Sequence, residues 1–547
     1  MNEQKKLISQ SLLTDDYQVN MAYTYWQQGS HKKHARFELF FRKNPFKGEF
    51  TIFAGLEDCL HFIKNLHFSE SDLEYIQHVA LPYAESAFFD YLRSEFNCKE
   101  VKISAVPEGS IVFPRVPLII VEGPLAVCQL LETPLLNLVN YASLVTTNAA
   151  RFRLAAGESI GLFEFGLRRA QGPDGALSAS KYCFIGGFDS TSNLLAGKLY
   201  GIPVSGTMAH SFVTSFEPDE PMKRPNLLLP NDKVVDLFQL SKDKLDFLFK
   251  IDSIDWEVAR NDLNMGELAA FCAYAIAHPK SLVALIDTYD TLRSGLINFC
   301  ACALALADLG FRAIGCRIDS GDLAFLSKEI RRRFRQIATD FNFGAKIEWF
   351  ANLKIVGSND INEETIIALR TQGHELNAFG VGTHLVTCQQ QPALGCVYKL
   401  VDLDGKAKIK LSESKHKLLI PGRKKAFRLY SKTGIPLVDL MMLDNEPDPT
   451  PHKEILCLHP FEPGKRAKVF PDRVEQLHHI YWNDANIVMP LPSLSQIREH
   501  TRISLQTLRE DHRRFLNPTP YKISLSQQLY DFFLQIWLQN APIGQLW

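Results

Sequence analysis

The sequence has no CxxC pair, and its eleven cysteines are an odd number scattered along the chain, Cys300 and Cys302 being the closest. That pattern speaks against a disulfide framework or a cysteine-ligated zinc site and predicts free or buried thiols in a reducing compartment. No uninterrupted apolar run is long enough to span a bilayer. The first residues, "MNEQKKLISQSLLTDDY", lack the apolar core of a signal peptide. A surplus of charge is missing as well: the formal net charge of -1 gives no footprint for nucleic acid and no acidic bias toward disorder. Internal repeats and low-complexity linkers are also absent. The expectation is a cytosolic protein with no membrane and no nucleic-acid partner. What is present is apolar: 46% of the 547 residues are hydrophobic and 22% charged, which suits a chain with large cores. At about 100–200 residues per domain, the length allows two to four domains.

Three rhythms follow one another along the chain. Residues 1–144 read as an α+β region. "RFELFFR" is a strand, "GLEDCLHFIKNL" opens a helix, and "AVPEGSIVFPRVPLIIVEGPL" has the β-branched content and Pro/Gly punctuation of short strands. A run of helical apolar spacing follows, with Pro134 as a kink or boundary. From 145 to 395, short apolar segments ending in polar or glycine-rich turns alternate with helical stretches. The strands expected are those before "FGLRRAQG", "SGTMAHS", "DTYD", "DSGDL", "GSNDI" and "GVGTHL". Alternating βα units predict a parallel sheet with helices outside, open or closed into a barrel. Residues 396–547 return to hairpins, with Asp-Gly and Thr-Gly turns, and end in an amphipathic helix within "SLSQQLYDFFLQIWLQ".

Chemistry-bearing residues gather at the carboxyl ends of the predicted strands, where parallel α/β folds bind ligands. In "GVGTHL", Gly380 and Gly382 would let backbone N–H groups approach a phosphate beside Thr383; a plain turn is the simpler alternative. "CRIDSGDL" offers Arg317 for an anion and Asp319 for a ribose diol or a divalent cation, while Asp322 reads equally well as a helix cap. In "FGLRRAQGPDG", Arg168 and Arg169 beside a flexible turn suit a phosphate or carboxylate. "GTMAHSFV" places His210 after an apolar segment, a position that packing alone would also explain.

The string "EFGLRRAQGPDGALSASKYCFIGGFDSTSNLLAGKLYGIPVSGTMAHSFVTSFE" resembles the nicotinate phosphoribosyltransferase family, as do "LLTDDYQVNMAYTYW", "DTYDTLRSGLINF", "RIDSGDL", "GVGTHLVTC" and "GCVYKLV". The match runs in motif order from about residue 12 into the 420s. The resemblance implies an irregular eight-stranded α/β barrel of the type II phosphoribosyltransferases. It also implies a flanking α+β N-terminal part, a β-rich C-terminal part and a homodimer with shared active sites. It implies the conversion of nicotinate and phosphoribosyl pyrophosphate to nicotinate mononucleotide, coupled to ATP hydrolysis, with Mg²⁺ (Mn²⁺ as a substitute) held through the substrate phosphates.

On that resemblance His210 is the phosphorylated histidine, and Ser211 beside it bonds a phosphate. Phe165 stacks on the pyridine ring, or on a core neighbour. Tyr17 is a ring-stacking tyrosine reaching the partner subunit's site, with Asp15 before it a cap. Arg168 and Arg317 meet the nicotinate carboxylate and the phosphoribosyl phosphate. Ser358, Asn359 and Asp360 are alternatives for the ribose, Asn359 being the neutral one. Asp189 matches the residue that holds the carboxamide in the related nicotinamide enzyme; facing nicotinate's carboxylate it would repel, so a structural role is the alternative. A nicotinamide phosphoribosyltransferase is the nearest competing activity, disfavoured by the second arginine of "GLRRAQG". A quinolinate enzyme and a catalytically silent relative that binds nucleotides are more distant ones.

Overall fold

The computed structural model describes residues 10–230, 232–339, 344–412, 417–462, 464–543 and 545. The chain divides into two compact units. The first comprises Met1–Ala150, Lys181–Gly187 and Cys388–Trp547, and the second Arg151–Ser180 and Phe188–Thr387. The N- and C-terminal regions of the sequence therefore share one unit.

Two sheets organise the first unit. In the seven-stranded antiparallel sheet, His34–Phe41 lies between Cys396–Leu403 and Ile119–Pro124, so strands more than three hundred residues apart are neighbours. The strand "HARFELFF" is buried at every position after His34, which explains why its apolar residues do not alternate cleanly with polar ones. Its two inward charges are paired: Glu38 with Lys424 at 3.0 Å and Arg36 with Asp444 at 2.6 Å. The second, six-stranded sheet contains the Lys424–Tyr430 and Pro436–Leu443 hairpin. Arg428 and Asp439 there form a buried two-point pair at 2.7 and 2.8 Å. The helical run of the sequence breaks at Leu131 into Leu125–Leu130 and Glu132–Ala156. Pro134 thus falls in a first turn, where its missing N–H costs no hydrogen bond.

The second unit is built on six parallel strands: β1 (Gly161–Glu164), β2 (Ser190–Thr191), β3 (Val283–Leu285), β4 (Gly315–Ile318), β5 (Lys354–Gly357) and β6 (Ala378–Val381). Their order in the sheet is β3-β4-β5-β6-β1-β2, every pairing parallel. That is the cyclic order of a βα barrel opened between β2 and β3. The expected eight strands are six among the described residues. The segment before "SGTMAHS" makes only one bridge, Thr191 to Val204, because Pro203 interrupts it and Val204 itself stays exposed.

Helices α1 (Met265–Ala277), α2 (Leu296–Asp308), α3 (Leu323–Thr339) and α4 (Glu363–Gln372) belong to this unit, and α2 to α4 link β3 to β6 in turn. Apolar on every side, α2 is buried from Leu296 to Leu306. By contrast, α3 buries Ile330, Phe334 and Ile337 and turns Lys328, Arg332 and Arg335 outward. Asp322 accepts from the Phe325 N–H at 2.9 Å and so caps α3. Gly295, just before α2, has no room for a side chain: a Cβ would lie 1.8 Å from the Ile286 carbonyl oxygen.

All eleven cysteines are free and buried. No helix among the described residues is long and apolar enough to cross a membrane.

Candidate active site

Because β1, β4, β5 and β6 are parallel neighbours, the residues that follow them emerge on one rim. Phe165 follows β1, Asp319 follows β4, Ser358 follows β5 and Gly382 follows β6. They enclose a cavity of about 260 Å³. Arg168, Arg169 and Arg317 supply its cations, and Asn359, Gly380 and Thr383 also line it. Of the expected site residues, Phe165, Arg168, Arg317, Asp319, Asn359, Gly380, Gly382 and Thr383 are thus brought together.

Arg317 organises this rim. Its Nε donates to Ser358 Oγ at 2.9 Å and its Nη1 to Thr207 Oγ1 at 2.9 Å and the Met208 carbonyl at 3.3 Å. Nη2 lies 3.6 Å from Asp319 Oδ2. The guanidinium thereby ties the segment just before His210 to β4 and β5. Its charge centre also sits 5.7 Å from the centre of the Phe165 ring. Burial pushes the Arg317 pKa down, Arg168 adds to that, and Asp319 and Asp287 oppose it. A negatively charged ligand would relieve both unfavourable contributions.

His210 opens the five-residue helix His210–Thr214 and is not itself in the cavity wall. Its Nδ1 is 3.1 Å from Thr288 Oγ1, and its Nε2 is 3.9 Å from both Asp287 Oδ1 and Asp319 Oδ2. The imidazole is 43% exposed, whereas the Asp287 side chain is 1% exposed. Asp287 Oδ2 accepts from the Asp319 N–H at 2.8 Å and from Ser320 Oγ at 2.5 Å, while Oδ1 has no hydrogen-bond partner. An unpartnered, buried carboxylate oxygen facing an imidazole can serve a cation or an imidazolium. Sequence reasoning missed Asp287 and Thr288. Both lie in "DTYD" at the end of β3, and their position at a strand end was the available signal.

Two glycines make room around Phe165. A Cβ on Gly380 would fall 2.5 Å from the Phe165 ring, and one on Gly166 would fall 2.3 Å from Val386 Cγ1. Glycine at these positions lets the Phe165 turn pack against β6 and against Val386, in the short helix that follows it. The turn is also held by buried Glu164, which accepts from the Gly166 N–H, from Ser180 Oγ at 2.8 Å and from Thr191 Oγ1 at 2.5 Å.

Asp360 bonds His384 at 2.9 Å, and Ser358 joins Arg317 to Asp319, donating to Asp319 Oδ1 at 2.6 Å. Asn359 and Asp360 are both exposed in the cavity wall, and of these two Asp360 is the one held by His384. Asp189 Oδ2 accepts from Arg153 Nη2 at 2.7 Å and from the Leu162 N–H at 2.9 Å. Ser211 is exposed and does not line the cavity. Tyr17 belongs to the first unit, 48% exposed on the helix Asp16–Gln27. Asp15 does not cap that helix with its side chain, which instead accepts from Thr133 Oγ1 at 2.5 Å.

The comparisons agree with one another. Residues 12–140 match the nicotinate phosphoribosyltransferase (NAPRTase) N-terminal domain, and residues 423–533 match the nicotinate phosphoribosyltransferase C-terminal domain. The chain is 57% identical over 549 residues to the nicotinate phosphoribosyltransferase of Caenorhabditis elegans, covering 100% of this chain and 96% of that one. It is 50% identical over 551 residues to nicotinate phosphoribosyltransferase 2 of Arabidopsis thaliana, covering 98% and 95%. The crystal structure of human nicotinic acid phosphoribosyltransferase superposes with a TM-score of 0.85 at 44% identity, covering 96% of this chain and 99% of that one. Identity of this extent along the whole length, joined to the six-stranded parallel sheet and its arginine-lined rim, leads to one conclusion: the chain belongs to the nicotinate phosphoribosyltransferase family.

Proposed function

We propose that the protein transfers the phosphoribosyl group of phosphoribosyl pyrophosphate to nicotinate. The pyridine nitrogen bonds to C1 of the ribose as pyrophosphate leaves, giving nicotinate mononucleotide for NAD synthesis. The observation that carries this reading is the rim where Phe165, Arg168 and Arg317 meet: an aromatic face with two guanidinium groups suits a planar aromatic carboxylate and a sugar phosphate. Nicotinamide is the less suited substrate. The acceptor that would hold a carboxamide, Asp189, already has its Oδ2 engaged by Arg153 and the Leu162 N–H. Competition between nicotinate and nicotinamide, read by product analysis, tests this choice. Preferential use of nicotinamide would overturn it.

The reading includes coupling to ATP through His210. In the tautomer whose Nδ1–H donates to Thr288 Oγ1, the lone pair on Nε2 is the nucleophile. It bonds to the γ-phosphorus of ATP as ADP leaves. Asp287 and Asp319 would hold Mg²⁺ together with substrate phosphates, and the buried Asp287 Oδ1 without a partner fits such a ligand. When bound, the ion supplies charge neutralisation for the pyrophosphate. Among the described residues no group of three His, Cys, Asp or Glu side chains is placed to bind a metal unaided. Asp319 and Asn359 are the side chains assigned to the ribose hydroxyls.

A homodimer that shares its sites belongs to the same proposal, with Tyr17 of one subunit completing the other's ring-binding face. Its half-exposed ring supports that role. A cytosolic location rests on the eleven free cysteines.

The decisive experiment compares wild type with His210→Ala. Incubation with γ-labelled ATP and an alkaline quench should leave base-stable label on wild type only. The variant should retain slow transfer that ATP does not stimulate. Label on the variant, or ATP-stimulated synthesis by it, would refute the phosphohistidine.

A further inference from the structure

The first unit contains a cavity of about 710 Å³ whose lining shares no residue with the rim described above. Its walls come from residues 457, 459–462 and 464–467, from the pair Pro114 and Arg115, and from the segment Pro520–Ser524.

Its charge is one-sided. Arg115, Lys465, Arg466 and Lys522 face a single carboxylate, Glu462. Glu462 is occupied by Lys465 at 2.7 Å and lies 3.7 Å from His459 Nε2. Arg115, Arg466 and Lys522 have no carboxylate within ion-pair distance among the described residues. Arg115 is the most costly of the three. Its backbone holds a left-handed φ of 73°, its N–H is fixed to the Phe41 carbonyl at 2.7 Å, and its guanidinium lies 4.3 Å from the centre of the Phe461 ring. Burial pushes its pKa down to about 10, with repulsion from Arg42 adding to the effect. A desolvated cation without a counter-charge is stabilised by an anion.

His459 adds a fourth donor. Its Nδ1 accepts from the Phe461 and Glu462 N–H groups at 3.2 and 3.1 Å, which leaves the proton of the neutral ring on Nε2. The remaining wall is mostly apolar, Pro460, Phe461, Pro520 and Ile523 among its residues, with Tyr521 and Ser524 beside them. Inorganic phosphate alone would leave that wall and most of the volume unused. A cavity of this size, apolar with a few convergent polar groups, is the usual setting for a ligand of nucleotide size.

We propose that this cavity is a second ligand site, taking a phosphate ester that carries an aromatic ring: the phosphates lie against Arg115, Arg466 and Lys522, and the ring against Phe461 and the prolines. The proposal stands independently of the transfer reaction.

Lysine acylation read by peptide mass spectrometry tests it, because Lys465 and Lys522 report on this cavity alone. The full-length protein is acylated with ATP, adenosine or inorganic tripolyphosphate as probe. ATP should slow acylation at both lysines about threefold or more, adenosine should not, and tripolyphosphate should protect less than ATP. Arg115→Met and the surface variant Arg466→Gln should each lose the ATP effect, whereas Arg168→Ala, altered in the other cavity, should keep it. Equal rates with and without millimolar ATP would overturn the site. Equal protection by tripolyphosphate would overturn the ring-bearing ligand. Loss of protection in Arg168→Ala would show that ATP acts from the barrel rim.

Discussion

At the scale of single residues, the rim depends on side chains that hold other side chains. Arg317 spends Nε and Nη1 on Ser358, Thr207 and Met208 before it meets any ligand. It therefore positions the His210 segment as well as supplying charge, and a lysine could not reproduce the planar fork. Gly380 acts through absence. Gly380→Ala would drive a methyl group to within 2.5 Å of the Phe165 ring, and the ring is the movable partner. The expected result is a rise in KM for nicotinate of about tenfold, with a loss of about 1–3 kcal/mol in stability. Steady-state kinetics and urea denaturation measure the two, and an unchanged KM would show that Phe165 does not contact the substrate. Residue type and spacing do not single out Asp287, although it opens the strand-end stretch "DTYD". Its value lies in burial and in an oxygen left without a donor, and neither property is written in a residue type.

At the scale of elements, the βα units were legible because their strands are short apolar runs ended by glycine or aspartate, and their helices have apolar spacing and side-chain caps. Asp322, Asn264 and Asn362 each accept from a first-turn N–H. Two-residue β2 was not legible, since two residues carry no periodicity. Inside α1 lies an element-level pH device. Glu267 is fully buried, and desolvation raises its pKa to about 7, with Asp287 and Asp290 adding to the rise and bonds from Ser294 and Asn298 opposing it. Its Oε1 has no hydrogen-bond partner, the atom that a proton would satisfy. An unfolded glutamate titrates near about 4.3, so between that value and about 7 the folded chain binds more protons than the unfolded one. Stability from this group is therefore complete below that window and falls as pH rises through it, by about 4 kcal/mol. Glu267→Gln should remove the slope, measured as urea midpoints from acid to neutral pH. Parallel curves for variant and wild type would show that Glu267 ionises normally.

At the scale of the whole molecule, the proposed sharing of sites makes a direct prediction. Chains carrying His210→Ala and chains carrying Tyr17→Ala should each be impaired. Random mixing should restore about a quarter of wild-type activity, because half the dimers then hold one site with neither defect. Mixed dimers without recovery would assign Tyr17 to its own subunit. Sequence by itself determined the order of local structures, the clustering of arginine, aspartate and glycine at strand ends, and the family. These follow from short-range causes: side-chain periodicity, caps, turn residues and motif spacing. Tertiary structure alone decided that residues 34–41 pair with 396–403, that Gly380 makes room for a ring, that Asp189 is spent on Arg153, and that Asp287 stands behind His210. Each of these depends on which distant groups meet and how far water is excluded between them, and packing and desolvation exist only once the chain has closed on itself.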